Sequence, residues 1–199
     1  MRLSLSNRIL KRTFDLLLAA VSLTLLIWII IFAWILSSIF HNKNGFFTQT
    51  RIGMYGKKFK IIKIRTMKDV DGEKSTITTS NDKRITRLGR IMRLYKIDEL
   101  PQLINVINGS MSFVGPRPDV EGFADKLEGK EKAILSLRPG ITGPATLKYR
   151  NEEELLSNAK NIKKTNDQIY RNKVKINIEY INNWSLTKDI SYILKTLFK

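Results

Sequence analysis

The sequence predicts an α+β fold, mainly helical, with a membrane-embedded N-terminal helix in residues 1–41 and a compact domain in residues 42–199. Three observations predict it. From Leu16 to Phe40 no charged residue interrupts an apolar run. Two short strand-like stretches, Phe46–Arg51 and Lys58–Met67, flank the turn GMYGK, the pattern of a small β-hairpin. From Ile85 onward, apolar residues return at helical rather than alternating intervals in several separate segments.

The apolar run extends about 37 Å as a helix at 1.5 Å per residue, against a hydrocarbon core of about 30 Å. It is too long for a signal-peptide h-region, and no A-x-A-like cleavage site follows it, which argues against a cleaved leader. Both of its flanks are basic: Arg2, Arg8, Lys11 and Arg12 before, Lys43, Arg51, Lys57, Lys58 and Lys60 after. A simple spanning helix carries its Lys/Arg excess on one side. A spanning helix and a re-entrant one, with both ends on the same side, are equally open on this pattern. Re-entry requires a bend. No Pro or Gly marks one, although Ser22 and Thr24 can bond backbone carbonyls and curve the helix.

HNKNG (His41–Gly45) reads as a polar linker, and Lys68–Lys83 as a polar loop. Ile85, Leu88, Ile91, Met92 and Tyr95 form an apolar helical stripe with Arg84, Arg87, Arg90 and Arg93 between them. Leu100, Leu103, Ile104 and Ile107 give a second stripe, closed by Gly109. SFVGPRP (Ser112–Pro118) and RPGITGP (Arg138–Pro144) read as constrained loops, and Asp119–Ser136 between them as a helix. Residues 151–172 are polar and helical in part. Val174, Ile178, Ile181 and Trp184 keep helical spacing, as do Leu186, Ile190, Ile193, Leu194 and Leu197 after Ser185. Lysines beside that last stripe suit a helix lying on a membrane surface, and a core-packing helix fits equally well.

Composition narrows the function. The chain carries 35 Lys+Arg against 18 Asp+Glu, a net charge of +17, which points to an anionic partner: nucleic acid, anionic lipid or a phosphate-rich substrate. It has no cysteine and one histidine, His41. Thiolate metal sites, multi-His zinc sites and Ser-His-Asp triads are therefore excluded.

Against that charge, Asp98 and Glu99 stand together at the front of the Leu100–Ile107 stripe in YKIDELPQLINVING (Tyr95–Gly109). The plain reading makes Asp98 the N-cap of a helix that starts at Glu99, with Pro101 in its first turn. The chemical reading notes that a helix start favours phosphate as well as carboxylate. Arg87, Arg90 and Arg93 precede the pair, and Pro116 and Pro118 preset Arg117 as a fork for phosphate oxygens. Adjacent carboxylates among cations suit Mg²⁺ with a phosphate in its shell. A carboxylate held ionised there can also attack phosphorus.

On these residues the chain resembles the small bacterial sugar transferases, the monotopic phosphoglycosyl transferases that begin lipid-linked glycan assembly. The matching stretches are KRTFD (Lys11–Asp15), FFTQTRIG (Phe46–Gly53), KIRTM (Lys63–Met67), IDELPQLINVINGSMSFVGPRP (Ile97–Pro118) and RPGITGPA (Arg138–Ala145), with EYINNWSLTKDI (Glu179–Ile190) a looser match. The resemblance implies transfer of a sugar 1-phosphate from a UDP-sugar donor to a polyprenyl phosphate acceptor, releasing UMP. It implies Asp98 as the nucleophile, Glu99 as a Mg²⁺ ligand, and Arg93 and Arg117 as phosphate-binding. Arg65 and Arg138 match positions near the nucleotide or phosphate. The implied fold is a re-entrant membrane helix and a mainly helical domain with interfacial helices, on the cytoplasmic face of the bacterial inner membrane and held by anionic lipid. Members usually carry Ser-Pro midway through the membrane helix; Ile27 and Trp28 stand at those positions here.

Two rivals have other chemistry. A nucleic-acid binder explains the charge but not the membrane segment, and the arginines lack interleaved aromatics for stacking bases. A non-catalytic, membrane-anchored basic adaptor explains segment and charge, but not an acid pair beside two proline-locked arginine loops.

Overall fold

The protein's structure, a computed structural model, describes residues 3–69, 79 and 82–198. The stretch expected to loop, 68–83, falls mostly outside them.

One α-helix, α1, runs unbroken over Leu5–His41, capped by Ser4 Oγ accepting from Asn7 N. The break expected of a re-entrant helix is not found. Ile27 and Trp28 continue the helix because neither removes a backbone donor, and Thr24 Oγ1 donates to Ala20 O at 3.0 Å without interrupting it. α1 has two faces. Lys11, Asp15, Ala19, Ile30, Ala33 and Ser37 are buried, while Leu17, Leu25, Trp28, Phe32 and Ile39 are exposed. The small inner residues let the helix lie close along the domain.

Polar bonds tie both ends of α1 down. Near its start, Lys11 Nζ meets Asp189 Oδ2 at 2.6 Å, fully enclosed, and Asp189 also accepts from Tyr180 Oη at 2.6 Å and Trp184 Nε1 at 3.1 Å. Arg12 donates to the carbonyls of Val106 and Ile107, and Asp15 Oδ1 accepts from Phe113 N. Near its end, Ser37 Oγ donates to Arg65 O at 2.7 Å.

The hairpin forms as expected: β1 (Phe46–Ile52) pairs antiparallel with β2 (Lys58–Ile64), in register from Phe46↔Ile64 to Ile52↔Lys58. α2 (Arg87–Leu94) follows, capped by Thr86 Oγ1 accepting from Gly89 N. It packs so tightly on the exit from β2 that a Cβ at Gly89 would sit 2.1 Å from Thr66 O. A 3-10 turn, Ile97–Glu99, leads into α3 (Gln102–Ile107), which Gly109 closes at φ +86°.

Two expectations fail here for local reasons. SFVGPRP and RPGITGP are not independent loops. Their cores, β3 (Ser112–Val114) and β4 (Gly140–Thr142), pair in parallel, with Gly115 N donating to Thr142 O and Gly140 N to Pro116 O. Glycine permits this approach, since a Cβ at Gly140 would lie 2.1 Å from Gly115 N. Asp119–Ser136 is not a helix. Gly122 and Gly129 adopt positive φ, +96° and +51°, and leave only the 3-10 segments Ala124–Lys126 and Glu131–Ser136.

The remainder is α4 (Pro144–Lys148), α5 (Glu152–Ser157), α6 (Ile162–Asn182) and α7 (Leu186–Leu197). Val174, Tyr180 and Ile181 of α6 join Val114, Ile134 and Leu137 in the main core. α7 divides its faces: Asp189 is buried and Ile193 packs on the core, while Leu194 and Leu197 are exposed. A second core joins Ala19 to Ile61, Val106 and Met111, and a third joins Ala33 to Ile64 and Met92.

Because Lys11 and Asp189 are both withdrawn from water, deleting one strands the other. Asp189→Ala is expected to cost about 3–5 kcal/mol, and the double change Lys11→Met/Asp189→Leu to recover only the part due to the stranded ammonium, because Tyr180 Oη and Trp184 Nε1 still lose their acceptor. Denaturant unfolding in detergent measures both.

Candidate active site

The chain delivers Asp98 and Glu99 through a sharp corner. Lys96 turns at φ +57°, the left-handed region, and the 3-10 turn that follows sets both carboxylates inward, 7% and 8% exposed. Asp98 is thus not the N-cap of a helix beginning at Glu99. α3 starts three residues later, and no side chain caps it.

Glu99 is the anchor. Its Oε1 accepts from Lys63 Nζ and from Arg117 Nη2, each at 2.8 Å. Lys63 comes from the end of β2, and Arg117 from the segment after β3, between the buried Pro116 and Pro118. Burial alone would raise the Glu99 pKa; Arg117, Lys63 and Lys96 outweigh it and hold the carboxyl well below its usual range. In return, Glu99 strengthens the charge on Arg117.

Asp98 is treated in the opposite way. Its Oδ1 is enclosed and has no hydrogen-bond partner among the described residues. Burial, reinforced by the neighbouring Glu99, pushes its pKa up against the pull of Lys63, Arg93 and Lys96. The expected helix dipole is absent, since no helix starts at Asp98, and burial outweighs the cations that favour its charge, Lys63, Arg93 and Lys96.

The other expected site residues are placed as follows. Arg93, in the last turn of α2, pairs with Glu153 of α5 and approaches Met67 Sδ, and it lies near enough to Asp98 to stabilise the charge there. Arg65 donates to Asn44 O at 3.0 Å and pairs with Asp69 at the foot of α1. Arg138 donates to Gly109 O at 2.7 Å, behind the end of α3. Neither hydrogen-bonds to the acid pair.

Several residues escape the sequence reading. Lys63 has a faint signal, one cation inside the apolar strand IIKI. Glu152, which pairs with Lys173 at 2.6 Å, and Glu153 have none, because their partners come from distant segments. Behind Arg117, Arg51 Nη1 donates to Pro118 O at 3.1 Å, and burial lowers its pKa to about 10. Beside it, burial raises Asp119 to about 6, against the pull of Lys173 and Arg51.

Among the described residues no three His, Cys, Asp or Glu side chains converge. The pair nevertheless suits a hard divalent cation. Both cations on Glu99 bond to Oε1, which leaves Oε2 clear of them and available to a metal. Water and phosphate oxygens commonly complete such a shell.

The sequence model of the bacterial sugar transferase family matches residues 6–199. UDP-glucose:undecaprenyl-phosphate glucose-1-phosphate transferase of Escherichia coli K12 is 36% identical over 199 residues, covering 97% of this chain and 40% of that protein. A protein of the same name from Caulobacter vibrioides is 34% identical over 192 residues, 94% of this chain and 68% of its own length. The exopolysaccharide production protein ExoY of Rhizobium meliloti is 32% identical over 203 residues, 94% of this chain and 83% of its own. The chain thus spans less than half the length of the first relative and most of the third.

Asp119 gives a pH test of the site's rear wall. Its folded pKa of about 6 lies above the ordinary 3.8, so between these values the native state holds more protons than the unfolded chain. Its contribution to stability therefore falls as pH rises from about 4 to 6. Asp119→Asn, which mimics the protonated form, is expected to raise the melting temperature relative to the parent at pH 7, with the gain vanishing near pH 4.

Proposed function

Since the chain belongs to the bacterial sugar transferase family, we propose that it is a phosphoglycosyl transferase, moving a sugar 1-phosphate from a UDP-sugar to a membrane polyprenyl phosphate. The observation that carries this reading is the unequal pair: a buried Asp98 with no partner on Oδ1, beside a Glu99 clamped by Lys63 and Arg117. The relatives' names supply the substrate classes, a UDP-sugar and a lipid-carrier phosphate.

In the proposed reaction an Asp98 oxygen attacks the phosphorus that bears the sugar. A bond forms between that oxygen and phosphorus, and the anhydride bond to the second phosphorus breaks, its electron pair leaving on UMP. An oxygen of the polyprenyl phosphate then attacks the same phosphorus, and the aspartyl bond breaks to return the carboxylate. Splitting the transfer in two lets one site serve both substrates in turn. Arg117, more exposed than Glu99, presents its remaining N–H groups to the diphosphate. Arg93, whose charge reaches Asp98, takes phosphate in exchange for Glu153. Glu99, with Asp98 beside it, would hold Mg²⁺, whose charge offsets that of the diphosphate when bound.

α1 anchors the reaction to its lipid substrate. Its exposed apolar face lies among the acyl chains, and the ties at Lys11 and Ser37 keep both ends on the domain's side. That placement is re-entrant in outcome although the helix is unbroken. The proposed side is the cytoplasmic face of the inner membrane, a reading supported by the basic residues on both flanks of α1, which suit anionic lipid.

Purified protein in detergent, given a panel of UDP-sugars with Mg²⁺ and polyprenyl phosphate, is expected to release UMP. EDTA should stop release and Asp98→Asn should reduce it to background; UMP release undiminished in Asp98→Asn would remove the nucleophile. For topology, single cysteines at Ser4 and Lys43 should both be labelled from the cytoplasmic side, and labelling of Ser4→Cys only from the outside would overturn the same-side placement.

A further inference from the structure

From Ile97 the chain follows one right-handed path through the 3-10 turn, Leu100 and Pro101 into α3. Residues four apart on such a path share a face, and side chains lean back toward the N-terminus. Asp98, Gln102 and Asn105 therefore line one face. Asn105 shows where it looks: its Oδ1 accepts from Ile62 N at 3.0 Å and its Nδ2 donates to Lys60 O at 2.8 Å, so the face lies against β2. Lys63, further along the same strand, reaches Glu99.

Asn105 is committed to the strand backbone; Gln102 is not. Gln102 is 2% exposed, and its Nε2 has no hydrogen-bond partner among the described residues. One turn before it lies Asp98 Oδ1, enclosed and also unpartnered. An orphan donor and an orphan acceptor thus stand one helical turn apart on a buried face, where such groups are normally satisfied.

We propose that Gln102 is a positioning residue for the nucleophile: its amide donates to Asp98 Oδ1 when the donor substrate is bound, fixing the carboxylate so that Oδ2 faces phosphorus. This rests on Asp98 being the attacking group. An aspartate has a freely turning carboxylate unless one oxygen is held, and attack requires a near-linear approach of the other. Lys63 and Arg117, both on Glu99, leave Asp98 without another holder among the described residues.

The test is single-turnover UMP release without acceptor lipid, comparing the parent protein with Gln102→Met, which keeps length and volume but has no donor. Release at saturating UDP-sugar should slow about 10- to 100-fold, with an unchanged half-saturating UDP-sugar concentration and melting temperature. Gln102→Glu, also of native length, replaces the donor with a carboxylate and should slow release further; it carries the comparison if the methionine variant folds poorly. Parent-like release in either folded variant overturns the positioning role, as does a slowing matched by loss of melting temperature in both. Absence of UMP release from the parent protein, or release that survives Asp98→Asn, overturns the proposed function instead.

Discussion

Glu99 is the joint on which the site depends. Its carboxylate receives a lysine from the hairpin and an arginine from the β3–β4 region, while its own backbone belongs to the turn before α3. Three pieces of chain that share no regular hydrogen bonding at this point are held by one oxygen atom. Both cations approach within 2.8 Å, and Glu99 is nearly enclosed, so the attraction is little screened. Removing the carboxylate would leave two charges without their partner in a site built around it, a far larger disturbance than losing a surface pair.

The rest of the fold ties that joint to the long apolar helix. α1 is at once the apolar anchor and a wall of the domain, because its polar inner residues are bonded into the same elements that carry the site. Arg12 holds the end of α3, Asp15 holds β3, and Lys11 holds α7 through Asp189. Movement of α1 is therefore coupled to α3, whose first residues follow the acid pair. The apolar helix and the acid pair are thus joined through side-chain bonds rather than by a flexible tether.

Much of this was legible in the sequence, where local chemistry decides the outcome. The apolar run, the hairpin with its GMYGK turn, the closure of α3 at Gly109 and the helical stripe of α7 after Ser185 all follow from short-range rules. What was not legible depends on partners far along the chain. Gly115 and Gly140 were read as loop glycines, yet their missing side chains admit a parallel strand pair. Gly122 and Gly129 stopped a helix that the composition of residues 119–136 suggested. At the site, Asp98, Glu99 and Arg117 could be singled out by motif, whereas Lys63 and Glu153 became visible only once folding had brought them to Glu99 and Arg93. Arg65 and Arg138 carry motif signals too, and the fold gives both to backbone carbonyls.

The adjacent acids also show why sequence proximity does not mean shared chemistry. A carboxylate with two cations on one oxygen has its charge offset and that oxygen engaged, which suits an anchor and disfavours attack. A carboxylate left unpaired in a buried place holds its proton more tightly, but once ionised it is a stronger base and a stronger nucleophile than an ordinary one. The structure assigns the first condition to Glu99 and the second to Asp98, with opposite pKa directions from the same burial. The difference arises because consecutive side chains of the 3-10 turn meet different partners: Glu99 is bonded to Lys63 and Arg117, while Asp98 Oδ1 is bonded to neither. Two like residues take two roles when their surroundings push their affinities for a proton apart.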